Sequence, residues 1–211
     1  MKKKVDYHPH FAPNQYHHCY NHAIGDELLF REEENYAHFL RLYKKYLAPI
    51  MITYAHCLMP NHFHFLVRIR PAEQLKARYL ELKPKANEDW ETMNWHRFIT
   101  RQIGNYMNAY AKAINKRFGR RGGLFEHGMK RPVIDNEPYF LTTLKYIHYN
   151  PIHHGFVDEL ESWTYSSYHA YLNHDKKGLF KTEVFQRFGD FQAFCEFHKD
   201  FRDLGDFEGM D

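Results

Sequence analysis

Two apolar stretches joined by a three-residue turn constrain the fold of this chain more than any other feature. Residues 50–58 and 62–69 are rich in β-branched and aromatic side chains, which favour extended backbone. Met59-Pro60-Asn61 lies between them and is a typical turn sequence. Because such a short turn fixes the pairing of the strands that flank it, the sequence predicts an antiparallel β-hairpin over residues 50–69.

The segments around this hairpin predict one further strand and several helices. Residues 16–23 are aromatic-rich and predict a strand, whereas the helical segments have apolar residues at helical spacing. The last helix begins at Asp135-Asn136-Glu137-Pro138, and we expect it to end at Asn150-Pro151. The helical ranges are 35–46, 97–118 and about 136–149. This order predicts an α+β fold in which helices pack on one face of an antiparallel sheet.

The length of 211 residues suits one domain with additions, and 44% hydrophobic residues are enough to bury a core. We expect a main domain over residues 1–175, within which the polar segment 71–96 is an insertion or a connection. Residues 176–211 are expected to form a C-terminal extension. Its end is acidic, with six acids against two bases from Glu196 to Asp211.

Composition argues against a membrane protein and a disulfide scaffold. The chain contains no run of about 18 apolar residues, and no apolar segment follows the basic N-terminus as a signal peptide would require. The three cysteines are odd in number and widely spaced. We therefore expect a cytoplasmic protein with no membrane partner.

His62 and His64 are the sharpest candidates for a functional site. Residues two apart on a strand project from the same face, so the two imidazoles would lie side by side while Phe63 enters the core. Paired imidazoles are good ligands for a divalent cation. The alternative is a pair of exposed strand histidines, because the chain has 17 histidines in all. We attribute the N-terminal histidines to the same compositional bias rather than to a second metal site: His8, His10, His17, His18 and His22.

A second candidate site lies on the helix that is predicted to end at Asn150. Tyr146 precedes Asn150 by four residues, so the two side chains share one helical face. A tyrosine hydroxyl can act as a covalent nucleophile, and an asparagine oxygen is a ligand for hard cations. From these residues alone the alternative stays open, namely a half-buried tyrosine and an asparagine that ends the helix before proline.

Four stretches of the chain, taken in order, match a known pattern. They are Pro60-Asn61-His62-Phe63-His64, Asn115-Lys116-Arg117-Phe118 to Gly123-Leu124-Phe125-Glu126, Tyr146-Ile147-His148-Tyr149-Asn150-Pro151 and Trp163-Thr164-Tyr165-Ser166-Ser167-Tyr168. Together they resemble the single-tyrosine HUH transposases, and within them the REP-associated tyrosine transposase branch. Order and spacing agree over residues 16–171. The paired histidines alone are a weak signal, whereas the four stretches in sequence are a strong one.

The resemblance implies a ferredoxin-like, RRM-like fold in which residues 1–175 form the catalytic domain. It implies that His62 and His64 bind Mg²⁺ or Mn²⁺ with Asn150 as the third ligand. It also implies that Tyr146 attacks single-stranded DNA next to a hairpin and forms a 5′-phosphotyrosine. The implied function is a metal-dependent DNA endonuclease and strand transferase, a nickase-ligase, which acts as a monomer or a homodimer.

Two positions depart from the family pattern. His22 stands where members often have an arginine after the first strand, and Gly128-Met129-Lys130-Arg131 stands where Gly-Arg-Phe-Lys is usual. The second position keeps its basic character.

A basic segment in the middle of the chain is expected to contact the DNA backbone. Residues 112–131 hold seven Lys and Arg residues against one acid, Glu126, although the net charge of the chain is only +3. A solvated surface is the alternative interpretation of any such run. The candidate contacts are Lys116, Arg117, Arg120, Arg121, Lys130 and Arg131.

Two other functions are compatible with the same residues. One is a domesticated, non-catalytic nucleic-acid-binding module, and the other is a small metallohydrolase without covalent chemistry. The metallohydrolase would want further histidine or acid ligands at its metal. Because every nominal catalytic residue is present, the transposase-like enzyme is the preferred prediction.

Overall fold

Four strands and a series of helices alternate in the computed structural model, which describes residues 5–173 and 180–199. The predicted acidic end of the chain lies mostly beyond residue 199 and so falls outside the described residues. The strands are β1 (Tyr16–His22), β2 (Met51–Leu58), β3 (His62–Ile69) and β4 (Val133–Ile134). The α-helices are α1 (Glu33–Tyr46), α2 (Ala72–Leu82), α3 (Trp95–Arg117), α4 (Glu137–His153), α5 (Tyr168–Leu172), α6 (Lys181–Phe188) and α7 (Phe191–Lys199).

The strands form one antiparallel sheet in the order β2-β3-β1-β4. The predicted hairpin is confirmed as β2 and β3, and Met59 and His62 close its turn through two backbone hydrogen bonds. β1 pairs with β3 in a register that puts Tyr20 opposite His64 and His22 opposite His62. This register brings residues of β1 beside the paired histidines.

Helices cover both faces of the sheet. Because side chains alternate along β3, Phe63 and Phe65 lie in a core with α1 and α3, whereas Leu66 lies in a second core with α4. The α+β class and the antiparallel sheet are confirmed. The sequence predicted helices on one face of the sheet only, whereas α4 packs on the face opposite to α1 and α3. The central strands β1 and β3 are buried along nearly their whole length, so each face of the sheet needs its own cover.

α4 runs through the Asn150-Pro151 step, where the sequence predicted its end. The helix continues to His153, and the Asn150 carbonyl accepts the N–H of His154 at 3.1 Å. Proline lacks an N–H and disfavours helical backbone at the residue before it. Asn150, however, is fully buried and its side chain contacts two histidines, so tertiary contacts fix the helical path here.

The predicted insertion, residues 71–96, and the described part of the predicted C-terminal extension, residues 180–199, both pack against the rest of the structure. The polar segment 71–96 contains α2, which buries Leu75 and Tyr79 in the core with α3. α6 and α7 bury Val184 and Phe194 in the core with α4. Within residues 5–173 and 180–199, no helix combines the length and the apolar character that crossing a membrane requires.

Candidate catalytic and metal site

β3 places His62 and His64 on the face of the sheet that α4 covers. Both side chains are almost fully buried, with 2% and 0% of their surface exposed. Their ring centroids lie 5.0 Å apart, edge to face. They are therefore not the exposed strand histidines of the alternative interpretation.

Asn150 of α4 contacts both histidines. Its Oδ1 lies 2.9 Å from His62 Nε2, and its Nδ2 lies 3.3 Å from His64 Nε2. The three residues that the resemblance names as metal ligands thus come together between β3 and α4.

The hydrogen bonds around His62 suit a bound cation. A neutral imidazole carries one N–H, and His62 Nδ1 lies 2.8 Å from Asn61 Oδ1, which can only accept. With the proton on Nδ1, the lone pairs of His62 Nε2 and Asn150 Oδ1 converge at 2.9 Å. Two adjacent ligands of an octahedral ion with bonds of about 2.1 Å lie about 3 Å apart, so this spacing fits a small divalent cation.

The amide of Asn150 is needed to complete such a ligand set. In the part of the chain that the structure describes, no three His, Cys, Asp or Glu side chains gather in a metal-binding arrangement. Two neutral imidazoles and one amide oxygen carry no negative charge, so they would leave the charge of the ion undiminished. A divalent cation held by such a set would keep its strength as a Lewis acid.

Histidines of β1 surround the pair, and the sequence analysis missed them. His18 Nε2 lies 2.9 Å from His64 Nδ1, and the His22 ring stacks on the His62 ring at 4.7 Å. These two residues thus have a place in the site that compositional bias does not explain. The alternation of His18, Tyr20 and His22 along β1 was the signal that could have identified them.

Burial keeps His64 neutral. The pKa of His64 lies well below its ordinary value, first because the side chain is buried and then because the imidazoles of His18 and His62 are close. When His64 donates its Nδ1–H to His18, its Nε2 lone pair is directed toward Asn150. A neutral imidazole with its tautomer fixed from behind is the form that binds a metal.

Tyr146 lies one helical turn before Asn150 and beside the histidines. Its ring is edge-on to the ring of His64 at 5.5 Å and to that of His18 at 5.9 Å. The side chain is buried, with 2% of its surface exposed. The N-terminus of α4 is capped by Asn136, whose Oδ1 accepts a backbone N–H at 2.8 Å. The predicted nucleophile and the predicted ligands therefore form one cluster.

His148, two residues after Tyr146, takes part in a different set of contacts. Its Nε2 lies 2.8 Å from Ser167 Oγ, and its Nδ1 lies 2.9 Å from His198 Nε2 of α7. These contacts hold α4 against the C-terminal helices.

Three of the six predicted DNA-binding residues bind groups of the protein itself. Arg117 pairs with Glu32 at 2.9 Å, and Arg120 pairs with Glu27 at 2.8 Å. The guanidinium of Arg131 donates to three backbone carbonyls. Much of the positive charge of the basic segment 112–131 is thus balanced or occupied within the fold.

The other three predicted contacts are placed differently. Lys116 and Arg121 are exposed. Lys130 lies over the ring of Tyr20 at 5.1 Å, and that ring stacks on His64 at 5.4 Å. Lys130 is therefore close to the histidine cluster.

Comparisons with known proteins find similarity to tyrosine transposases. No protein-family model matches the chain. A Haemophilus influenzae protein described as a "Putative REP-associated tyrosine transposase" is 26% identical over 120 residues. That match covers 56% of this chain and 58% of the relative, so the chain spans less than two thirds of the relative's length.

A solved structure of a REP-associated tyrosine transposase bound to a REP hairpin has a similar fold. The TM-score is 0.55 at 12% sequence identity, and the match covers 80% of this chain and 86% of the other. At this identity the likeness concerns the fold alone. Both similar proteins are tyrosine transposases by description, which confirms the resemblance found in the four sequence stretches.

Proposed function

We propose that this chain is a metal-dependent single-stranded DNA endonuclease and strand transferase that acts next to DNA hairpins. The observation that carries the proposal is the meeting of Tyr146 and Asn150 on α4 with His62 and His64 on β3. A nucleophile and a neutral metal-ligand set in one buried cluster are the parts that phosphodiester cleavage through a tyrosine needs. The descriptions of the two similar proteins support the same class of reaction.

Mg²⁺ or Mn²⁺ would be held by His62 Nε2, His64 Nε2 and Asn150 Oδ1. When bound, the ion would polarise the scissile phosphate and stabilise charge on its non-bridging oxygens. The residues behind the ligands contribute the alignment, because His18 fixes the tautomer of His64 and Asn61 fixes that of His62.

Tyr146 would supply the nucleophile. Its Oη attacks phosphorus, an Oη–P bond forms, and the P–O3′ bond breaks. The products are a 5′-phosphotyrosine and a free 3′-OH, which takes up a proton equivalent to the one that the tyrosine loses. Because one phosphoester replaces another, a 3′-OH can reverse the reaction on a second strand without a nucleotide cofactor.

A hairpin in the DNA is part of the proposal because the solved structure of similar fold is described as bound to one. Lys130 lies beside the histidine cluster and is a candidate contact for the phosphates that enter it. Lys116 and Arg121 are exposed and are candidates for phosphates farther from the site.

The proposal is tested by trapping the covalent intermediate. Labelled single-stranded DNA from the flanks of the gene, containing a hairpin, is incubated with the full chain and Mn²⁺ and run on a denaturing gel. We expect a protein–DNA adduct that disappears with a chelator and in Tyr146→Phe. The matched control is Tyr149→Phe on the same helix, which removes a hydroxyl that donates to the His198 carbonyl and should keep the adduct.

The other outcomes discriminate between the alternatives. Cleavage by Tyr146→Phe at the wild-type rate would refute the covalent mechanism. Tight binding of the same strand without any adduct, with or without Mn²⁺, would instead indicate a non-catalytic binding module.

A further inference from the structure

We propose that the exposed face of α3 holds the duplex stem of the DNA hairpin, an inference that rests on the proposed function. α3 is 23 residues long and contains no Asp or Glu at all. Its lysines and arginines lie toward its two ends. A long helix without a single acid is an unusual surface for a chain in which acids and bases nearly balance, 26 against 29.

Six exposed polar residues of α3 form one stripe. Because each residue turns the helix by about 100°, six positions fall within an arc of about 100° on the side away from the core. All six side chains are exposed. They are Arg97, Arg101, Asn105, Asn108, Lys112 and Lys116.

The four cations of this stripe are not neutralised by the fold. Within the described residues none of them forms an ion pair, in contrast to Arg117 and Arg120. Two acids, Glu88 and Asp89, line a cleft with Arg97 and Arg101. Glu88 accepts a hydrogen bond from a tyrosine hydroxyl, and Asp89 accepts from a threonine hydroxyl and a backbone N–H. The stripe therefore presents net positive charge to a polyanion.

The dimensions of the stripe fit a duplex. At a rise of 1.5 Å per residue, Arg97 and Lys116 lie about 29 Å apart along the axis, close to one turn of B-DNA at about 34 Å. The two cation pairs are separated by about 16 Å between Arg101 and Lys112, enough to reach phosphates on both sides of a major groove about 12 Å wide.

The chemistry of the stripe also favours a duplex over a single strand. Surfaces that bind single strands use exposed aromatic rings as stacking platforms. The stripe has none, because Tyr106 and Tyr110 of α3 are fully buried in the core. Phosphate contacts at its two ends, with amides between them, are the arrangement expected for a helix laid along a duplex.

The stripe also leads toward the catalytic cluster. The sheet separates α3 from Tyr146, but the loop that follows α3 runs to the edge of β1. Glu126 of this loop donates its N–H to the His22 carbonyl at 2.9 Å, and the His22 ring stacks on His62. A stem on α3 would thus place the adjoining single strand along the loop and at the site.

The test compares two double variants of the full chain. Arg101→Ala with Lys112→Ala removes two charges from the stripe, whereas the control, Arg41→Ala with Lys44→Ala, removes two exposed charges from α1. Fluorescence anisotropy measures binding of a hairpin with a stem of about ten base pairs and a single-stranded tail, and of the tail alone, at several salt concentrations. If each cation contacts one phosphate, the stripe variant should lower the salt slope by about 1.8 and weaken hairpin binding by up to about 60-fold at about 0.1 M salt.

Binding of the tail alone and binding by the control variant should change little. Unchanged hairpin affinity and salt slope in the stripe variant would overturn the inference while leaving the proposed function standing. An equal loss for the hairpin and the tail would mean that the stripe binds single strands, which also overturns it. Failure of the wild-type chain to bind any hairpin would overturn the proposed function together with the inference. Circular dichroism and thermal unfolding establish that both variants are folded.

Discussion

Replacing His18 should weaken metal binding without removing a ligand. His18 Nε2 faces His64 Nδ1 at 2.9 Å, and both side chains are fully buried. When His64 donates its Nδ1–H to His18, this contact holds the proton on Nδ1 and leaves Nε2 for the ion. Loss of the partner behind a metal-binding histidine typically lowers metal affinity by about 10- to 100-fold. That range corresponds to about 1.4–2.7 kcal/mol of binding free energy.

Two substitutions separate the hydrogen bond from the packing. His18→Leu removes the acceptor, whereas the side-chain oxygen of His18→Gln can still accept the His64 N–H. Isothermal calorimetry with Mn²⁺ and the full chain should give a Kd raised about 10- to 100-fold for the leucine variant. The glutamine variant should stay close to the wild-type value. His127→Leu, in an exposed loop position, is the matched control and should leave the Kd unchanged.

Stability has to be followed in parallel, since the leucine variant leaves a buried N–H without an acceptor at a cost of about 1–3 kcal/mol. Thermal unfolding in the absence of metal shows whether the variant is folded at the temperature of the titration. A folded His18→Leu variant that binds Mn²⁺ as tightly as the wild-type chain would refute the reasoning, because the His64 tautomer would then need no support from β1.

Two further predictions concern stability. Burial lowers the pKa values of His17 and His198 from 6.5 to about 4, so both stay neutral in the folded chain where the unfolded chain already binds protons. Urea titrations should therefore show the free energy of unfolding falling as the pH drops from about 6.5 to about 4, by up to about 3 kcal/mol per histidine, and a flat profile over this range would contradict the assignment. Phe194→Ala should cost about 3–5 kcal/mol, because this fully buried α7 side chain packs in the core with α4. If the midpoint of the main urea transition were unchanged in this variant, α7 would have to unfold independently of the rest of the chain.

The parts of the fold that local patterns determine were predictable from the sequence. The hairpin follows from two apolar stretches and a short turn, and the shared face of His62 and His64 follows from the alternation of a strand. The shared face of Tyr146 and Asn150 follows from helical spacing in the same way. Local patterns could not predict that the histidine pair and the Tyr146–Asn150 pair lie together. Only the resemblance to the transposases implied a single site.

The parts that depend on strand register and tertiary packing were not predictable in this way. His18 reaches His64 only because β1 pairs with β3 in one particular register, and a shift by one residue would turn it to the other face. The end of α4 was misplaced because the rule for residues before proline describes an isolated backbone. At Asn150 the burial of the side chain and its contacts with the two histidines outweigh that local preference.

Which cations remain unpaired in the folded chain was also not predictable from local sequence. Counting bases along the chain directs attention to residues 112–131, where Arg117 and Arg120 stand in a run of positive charge. The fold brings Glu32 and Glu27 to these two residues from 85 and 93 positions earlier. The positive charge left for a polyanion therefore shifts toward the exposed stripe of α3, of which Arg97 and Arg101 lie outside the run that the count detects. Whether a surface of this protein is basic depends on which acidic side chains the fold places next to its lysines and arginines. The comparison of the α3 and α1 variants measures how much the unpaired cations of α3 contribute to DNA binding.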